Sequence, residues 1–254
     1  MSDDLSFESE NGELSFLVQA PPVSLQSTRA RKDALTELIR EHSSQRDYLL
    51  TGDVHIDIEW MQNERWRYET HLSPDVDNIL KPAIDALCGP RGVLFDDCQV
   101  QSISCRWIDW TRQDQQFEIR VRFDPIEFAP KKGLTFVRMS ESLCFPFNVG
   151  MPPIALMALV SNVLTAWKAK GEFLRLGADD YMARSVMPIQ RLFNRAKILA
   201  RFTVQDLPEF MESVRTDAGE ALSAASEPEI KLYERISPMF LEALSEAEKQ
   251  FDTF

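Results

Sequence analysis

The run DVHIDIEW, from Asp53 to Trp60, alternates polar and apolar residues without a break. Apolar side chains at every second position predict a β-strand with one buried face and one face in water. The run QFEIRVRF alternates in the same way, and LSFLVQA and VQSISCRWI are further strand-like runs. Such strands are stable only in a larger sheet whose apolar face is covered. The N-terminal half is therefore predicted to contain a sheet of four or five strands.

Two stretches between these strands have the periodicity of helices. RARKDALTELIREH follows a pair of prolines and carries apolar residues at helical spacing. A second helix is predicted to begin near Asp75, because apolar residues recur from there at i, i+4, i+8 and i+11. These residues are Val76, Leu80, Ile84 and Leu87. Pro82 lies inside this helix and removes one backbone donor, so we expect a kink or a loosened first turn.

The sequence changes character near Lys132. Beyond it, one possible strand, LTFVRM, is followed by apolar periodicity of the helical type, and interruptions by proline and glycine fit four to six helices. We therefore predict an α+β protein in two parts. Residues 1–132 form a small α/β domain with a mixed sheet, and residues 133–254 form an all-α domain or extension.

The most apolar window, MPPIALMALVSNVLTAW, has two prolines at its start and contains Asn162. It falls short of the ~20 apolar residues that a membrane-spanning helix needs. It is therefore predicted to be a buried helix, and no membrane partner is expected. The four cysteines form no CxxC pair, and the acidic start of the chain does not resemble a secretory leader, so we expect a protein of the reducing cytoplasm.

The net charge of −12 argues against a nucleic-acid partner, because phosphates repel an acidic chain at long range. The charge is unevenly distributed: residues 1–132 carry −9, residues 133–200 carry +4 and residues 201–254 carry −7. In the basic segment, Arg191 and Arg195 are one turn apart if a helix includes both. Such a surface suits phosphate contact or docking on an acidic protein partner, and the residues leave both uses open.

The segment SPDVDNILKPAIDALCGPRGVLFDD, from Ser73 to Asp97, contains five aspartates and one lysine. Asp77, Lys81 and Asp85 follow one another at i, i+4 and i+8, which predicts a polar stripe beside the buried face of the helix. Taken singly, these features have ordinary explanations. Carboxylates favour the first turn of a helix, and aspartates are common in turns.

Taken together, the carboxylates predict a cation site. Two carboxylates about 4 Å apart repel each other by roughly 4 kcal/mol at an effective dielectric constant near 20, so three or four at one place need a compensating cation. Oxygen ligands suit Mg²⁺ or Mn²⁺, and no His or Cys lies among the aspartates at a spacing typical of zinc sites. The candidate chemistry is metal-assisted.

The same segment resembles the core signature of the RusA-type Holliday-junction resolvase family. The resemblance is carried by PDVDN, by the lysine four residues after the second aspartate, by the DAL that follows and by the later VLFDDCQV, in that order. It covers the N-terminal half only, from Leu14 to Asp124, and implies the small α/β fold of the family. It also implies a homodimer that cuts branched DNA with Mg²⁺ or Mn²⁺.

The resemblance further implies a role for each polar residue of the segment. The catalytic set is Asp75, Asp77, Lys81 and Asp97. The metal ligands are Asp75, Asp77 and Asp97, with Asp96 as a further candidate. Asp85 is a supporting position.

Contact with DNA is expected from other parts of the chain. Family members typically carry Arg or Lys immediately before the first aspartate, whereas YETHLSPD offers only His71. One candidate is the cluster Arg29, Arg31 and Lys32, which can meet phosphate but is also ordinary at a solvated helix start. The other candidate is the pair Arg191 and Arg195.

Two hypotheses of different class follow. The first is a Mg²⁺- or Mn²⁺-dependent, structure-selective endonuclease that hydrolyses phosphodiesters of branched DNA such as Holliday junctions. The second is a non-catalytic or partner-dependent subunit of a nucleic-acid-processing assembly, which docks on protein through its helical half. The complete set of three aspartates and Lys81 favours the enzyme, and the acidic charge favours the subunit. The chain has no P-loop and no G-x-G-x-x-G, so nucleotide hydrolysis is not expected.

Overall fold

The computed structural model describes residues 11–70, 73–112, 114–187 and 191–251. The chain divides into two compact units, with the division between Lys131 and Lys132. Each unit has its own apolar core. The α+β class predicted from the sequence is confirmed.

The first unit is built on a four-stranded sheet. Its strands are β1 (Glu13–Val18), β3 (Val54–Asn63), β4 (Val100–Trp110) and β5 (Gln116–Phe123), and they lie in the order β1-β5-β3-β4. β3 and β4 are parallel, while β5 is antiparallel to both of its neighbours. A separate antiparallel pair joins β2 (Tyr48–Leu50) to β6 (Phe128–Pro130). The four strand-like runs of the sequence are the four strands of the larger sheet.

The alternation in the sequence becomes the two faces of this sheet. Val54, Ile56, Ile58 and Trp60 of β3 are buried, and His55 between them is exposed, with its Nδ1 2.7 Å from the hydroxyl of Ser102 on β4. The buried face is covered by helices α1 (Arg29–Ser43) and α3 (Val76–Leu87). Full burial of one such apolar side chain contributes about 1.5–3 kcal/mol, so the covered face is the main source of stability of this unit.

Between β3 and α3 lies the short helix α2 (Glu64–Glu69). His71, noted above for its place before Asp75, lies outside the described residues. β4 is the last strand of the sheet, and most of its side chains are at least partly exposed. The first unit therefore ends on one side in a long strand edge.

The second unit also contains a sheet, which corrects the expectation of an all-α C-terminal half. Its strands are β7 (Leu134–Arg138), β8 (Leu143–Asn148), β9 (Phe193–Asn194) and β10 (Val204–Asp206), in the order β10-β7-β8-β9. The run LTFVRM, taken as one possible strand, is β7. The others were missed because β9 and β10 have only two and three residues, and because four successive residues of β8 are buried, so none shows a two-residue period.

The helices of the second unit are α4 (Pro153–Arg175), α5 (Asp180–Arg184), α6 (Arg195–Leu199), α7 (Leu207–Ala221) and α8 (Glu227–Phe251). The apolar window of the sequence is the first part of α4, where Met157, Val160 and Val163 are fully buried. They share a core with Phe210 of α7 and Phe240 of α8. Within the described ranges, no helix has the length and apolar character needed to cross a membrane.

Candidate active site

Helix α3 carries the first two candidate aspartates. Asp75 is its N-cap residue, with extended backbone dihedrals, but the Asp75 side chain makes no capping hydrogen bond. Asp77 lies in the first turn, and both carboxylates are exposed to solvent. The Asp75 side chain therefore does not stabilise the helix start by capping it, which was the ordinary explanation for an aspartate at this position.

Pro82 explains how the start of α3 is fixed. A proline has no N–H, so the carbonyl four residues earlier, that of Asn78, loses its helical donor. The backbone N–H of Leu25 donates to that carbonyl at 2.9 Å. The side chains of Gln26 and Asn78 are joined by a further hydrogen bond of 3.1 Å. The loop that follows the paired prolines is thereby tied to the helix turn that bears Asp77.

The turn that carries Asp96 and Asp97 is held by Gln99. The Oε1 of Gln99 accepts from the N–H groups of Phe95 and Asp96, at 2.7 and 3.2 Å. Its Nε2 donates to the carbonyls of Leu50 and Gly52, at 2.8 and 3.0 Å. Gln99 is buried, and each polar atom of its amide makes two hydrogen bonds. Gln99 belongs to the VLFDDCQV run, and its role in holding the turn was not predicted from the sequence.

Asp96 and Asp97 are adjacent in sequence but differ in environment. Asp96 is buried, and its Oδ1 accepts from the N–H of Cys98 at 3.1 Å as part of a capping box with Gln99. Asp97 begins the short 3₁₀ helix Asp97–Gln99, and its side chain is 35% exposed. The Asp96 carboxylate therefore helps to build the turn, and the Asp97 carboxylate projects from it.

Lys81 brings the helix and the turn together. Its Nζ lies 2.5 Å from Oδ2 of Asp97 and 2.9 Å from Oδ1 of Asp85, one helical turn further along α3. The hydrogen bonds to Asp85 and then to Asp97 raise the pKa of Lys81 well above its ordinary value, against a smaller opposing effect of burial. Lys81 is therefore a fixed positive charge between two carboxylates.

The structure thus joins some of the candidate residues and leaves others apart. Lys81, Asp85 and Asp97 form one ion-paired cluster, and Asp75 and Asp77 stand exposed at the start of the helix. In the part of the chain that the structure describes, no three side chains of the His, Cys, Asp and Glu types are placed to hold a metal ion. The carboxylates have the right chemistry for Mg²⁺ or Mn²⁺, but this arrangement does not fit the ion, because Lys81 occupies an oxygen of Asp97.

Part of the first unit is similar to a known protein family. Residues 23–122 match the family model described as endodeoxyribonuclease RusA. Over these residues, the first unit is similar to a RusA-type endodeoxyribonuclease domain. The matched segment includes the whole acidic stretch and Gln99, and it leaves out the second unit. No curated protein matches the chain.

One basic cluster of the first unit, Arg29, Arg31 and Lys32, lies at the start of α1. Lys32, in the first turn of α1, donates to the carbonyl of Leu25 at 3.1 Å. The N–H of the same Leu25 donates to Asn78 of α3, so the two helix starts share one loop. Arg29 is 94% exposed at its side chain and lies 3.7 Å from Asp33, and Arg31 is also exposed. The loop at Leu25 therefore links Lys32 to the helix turn that bears Asp77.

The second basic pair, Arg191 and Arg195, belongs to the second unit. Arg195 is the first residue of α6, and its backbone N–H donates to the carbonyl of Ser142 at 2.8 Å. Arg191 lies before β9, outside any helix. The expectation that a spacing of four puts both on one helical face is wrong, because β9 interrupts the segment between them.

Proposed function

We propose that this protein is a metal-dependent, structure-selective DNA endonuclease that hydrolyses the phosphodiesters of branched DNA such as Holliday junctions. The match to the RusA family supports endodeoxyribonuclease activity. The observation that carries the proposal is the contact between Lys81 and Asp97. These residues are sixteen positions apart in the sequence. The RusA resemblance implies that both belong to one catalytic site, and residues of one site have to lie close together.

Lys81 has the properties of a group that acts on a phosphate. Its positive charge is permanent at neutral pH, because both carboxylate partners stabilise the ammonium form and raise its pKa. It is 46% exposed at its side chain, so a phosphate can reach it. A fixed ammonium beside the scissile phosphate would stabilise the negative charge that develops during attack.

The dependence on Mg²⁺ or Mn²⁺ is part of the proposal. Asp75, Asp77 and Asp97 are the proposed ligands, with Asp96 as the fourth candidate, and carboxylate oxygens are the donors that these ions prefer. A bound ion would supply an activated water and neutralise charge on the phosphate. Asp75 and Asp77 are exposed, and Asp97 has to leave Lys81 before it can join them.

The proposed partner is branched DNA, bound by a cytoplasmic homodimer. Within the described residues, β4 pairs with a strand on one side only, and such an edge is a natural place for a second copy to pair, which supports self-association. Ile103 on this strand is 41% exposed. Arg29, Arg31 and Lys32 are the proposed phosphate contacts of the first unit, and Arg191 and Arg195 those of the second.

A second candidate function is a non-catalytic or partner-dependent subunit that docks on protein through the C-terminal helices. The observation in its favour is the net charge of −12, which opposes the association of this chain with DNA unless a partner supplies affinity. This candidate uses the same fold and differs in one testable property, the ability of the purified chain to cut DNA.

The deciding experiment incubates the purified protein with a labelled four-way junction, a flap and a linear duplex, in Mg²⁺, in Mn²⁺ and in chelator. Cleavage of the junction that requires a divalent ion, with the linear duplex left intact, is the expected result. Asp97→Asn serves as the inactive control. Absence of cleavage on all three substrates would favour the subunit.

A further inference from the structure

A line of ring contacts runs from the core of the first unit to its surface. It begins at Phe117 of β5, whose ring stacks on that of Trp60 of β3 with the centroids 4.0 Å apart. Both residues are buried, and the ring of Trp60 lies 6.3 Å from that of Trp107 on β4. The guanidinium of Arg67 lies over the ring of Trp107 and, at 4.8 Å, over that of Tyr68. Tyr68 is 64% exposed, so the line ends in an aromatic ring that is open to solvent.

The guanidinium of Arg67 is fixed in this position. Its Nη1 lies 3.2 Å from Oδ1 of Asp109 on β4, and the two rings supply cation–π contacts. A guanidinium that is held on one side by the sheet keeps the Tyr68 ring at the surface of α2. More than half of that ring remains accessible, so a further planar group can stack on it.

The exposed ring lies close in sequence to the proposed active site. The Nε2 of Gln62, near the end of β3, donates to the hydroxyl of Ser73 at 3.4 Å. The chain therefore returns to the end of β3 two residues before Asp75. Seven residues separate Tyr68 from Asp75 and span at most about 25 Å. This distance is less than one helical turn of a DNA duplex, about 34–36 Å.

Two more arginines border α2. Arg65 lies in its first turn and is exposed. Asn63, the N-cap residue of α2, donates through its Nδ2 to the carbonyl of Arg112 at 3.3 Å. The guanidinium of Arg112 lies over the ring of Trp110, at 5.5 Å. The end of the sheet therefore presents arginines interleaved with aromatic rings.

This combination favours an unpaired nucleotide as the ligand. Proteins hold single-stranded nucleic acid with aromatic rings on which bases stack and with arginines that meet the phosphates. A base inside a duplex is covered on both faces by its neighbours, and it has to leave the stack before a side chain can contact its face. A stacking ring therefore distinguishes unpaired nucleotides from paired ones, which phosphate contacts alone do not.

We propose that Tyr68 is a stacking platform for an unpaired nucleobase, and that Arg65 and Arg112 contact the phosphates beside that base. This inference rests on the proposed function, since the ligand is a strand of the branched DNA. It adds a substrate class, namely branched DNA with unpaired nucleotides at the branch, such as a flap. Arg67 is a positioning residue, which acts through the ring of Tyr68.

The test measures binding in chelator of a flap with three unpaired nucleotides, with 2-aminopurine at each unpaired position in turn. Stacking on Tyr68 should quench the fluorescence of 2-aminopurine at one of these positions. Tyr68→Ala should abolish this quenching and weaken flap binding by about tenfold or more, the usual cost of removing a ring on which a base stacks. Tyr68→Trp should keep both properties. Tyr181→Ala is the matched control, because Tyr181 of α5 is also an exposed tyrosine.

A flap whose unpaired nucleotides are abasic separates stacking from other contacts. If Tyr68 stacks on a base, Tyr68→Ala has no further effect on the affinity for the abasic flap, and the two losses are not additive. If Tyr68→Ala weakens binding of the flap, the abasic flap and a linear duplex equally, the inference is overturned. Tyr68→Leu replaces Tyr68→Ala if the latter does not fold by circular dichroism.

The outcomes distinguish this inference from the function on which it rests. Unchanged flap affinity in Tyr68→Ala, in a protein that cuts branched DNA, overturns the platform and leaves the proposed nuclease intact. A wild type that neither binds nor cuts any of the DNAs overturns the proposed function. Selective loss of flap binding in Tyr68→Ala, with duplex binding and the Tyr181→Ala control unchanged, supports the platform.

Discussion

The first turn of α3 and its middle present two kinds of acidic site on one helix. At the first turn, Asp75 and Asp77 are exposed, and the Asp75 side chain caps nothing. In the middle, Lys81 is held between Asp85 and Asp97 at hydrogen-bond distance. Within the described residues, the protein offsets part of the charge of the second group with Lys81 and leaves the first group exposed to solvent. The carboxylates are thus ion-paired in one place and exposed to solvent in the other.

The largest expected effect concerns the ion-paired cluster of Lys81, Asp85 and Asp97. Lys81→Ala and Asp97→Asn should each reduce the rate of junction cleavage by at least about 10²–10³, the usual cost of removing one group that stabilises developing charge. DNA affinity should change only a few-fold, because the proposed phosphate contacts are residues other than Lys81 and Asp97. Single-turnover cleavage and a binding titration measure the two quantities. Lys231→Ala is the control, and a parallel loss of binding and cleavage would contradict the assignment.

The second prediction concerns the anchor of the turn. Gln99→Leu removes the hydrogen-bond partner of two carbonyls and two backbone N–H groups. Each buried polar group that is left unpaired costs about 1–3 kcal/mol, and relaxation of the turn reduces the total cost. We expect the free energy of unfolding to fall by about 3 kcal/mol in urea titrations followed by tryptophan fluorescence. Gln101→Leu, at an exposed position of β4, should change it by less than about 0.5 kcal/mol. Equal effects of the two variants would contradict the anchoring role.

The third prediction tests whether the exposed carboxylates Asp75 and Asp77 contribute to binding of a metal ion. In Mn²⁺ at about 100 times Kd, the wild type should gain about 2.7 kcal/mol of stability over the protein in chelator. Asp77→Asn should lose most of this gain. In chelator the same variant should be less stable by only about 0.3–1 kcal/mol, because an exposed carboxylate in a first turn interacts favourably with the helix dipole. Thermal melts under the two conditions measure both effects, and a wild type that does not respond to Mn²⁺ would remove the metal assignment.

The fourth prediction compares the basic residues of the two units. The slope of log affinity against log salt falls by about 0.9 for each phosphate contact that is lost. The double variant Arg29→Ala, Arg31→Ala should therefore reduce the slope by about 1.8 if both exposed side chains contact phosphate. The same measurement on Arg191→Ala with Arg195→Ala shows whether the second unit contacts phosphate. An unchanged slope in that variant assigns the pair to protein docking.

The smallest effect concerns the loop at the start of α3. Pro82→Ala supplies an N–H that competes with Leu25 for the carbonyl of Asn78. We expect a change of less than about 1 kcal/mol in the free energy of unfolding, because alanine favours the helix while the loop loses one hydrogen bond. The amide of Leu25 should exchange its hydrogen faster, as measured by NMR. Pro90→Ala, at an exposed position after the helix, should leave that exchange rate unchanged.

Much of the first unit could be predicted from local patterns. The two-residue period of β3 and β5 follows directly from a sheet with one buried face. The start of α3 was predicted at Asp75, and its first helical residue is Val76. The short strands of the second unit were missed, because a strand of two or three residues is too short to show a period. Arg191 and Arg195 illustrate the same failure, since spacing implies a shared face only if one helix spans both residues.

The sequence by itself determined which residue types form the candidate site and in what order they occur. That order carries the RusA resemblance, and the aspartates and the lysine needed for the chemistry can be read from it. Only the tertiary structure decided that Lys81 meets Asp97, that Gln99 holds the turn and that Leu25 replaces the donor missing at Pro82. Contacts between residues this far apart depend on how the turn at Asp97 and the loop at Leu25 pack against α3 and β2. The periodicity of a sequence indicates only on which face of a helix or strand a residue lies.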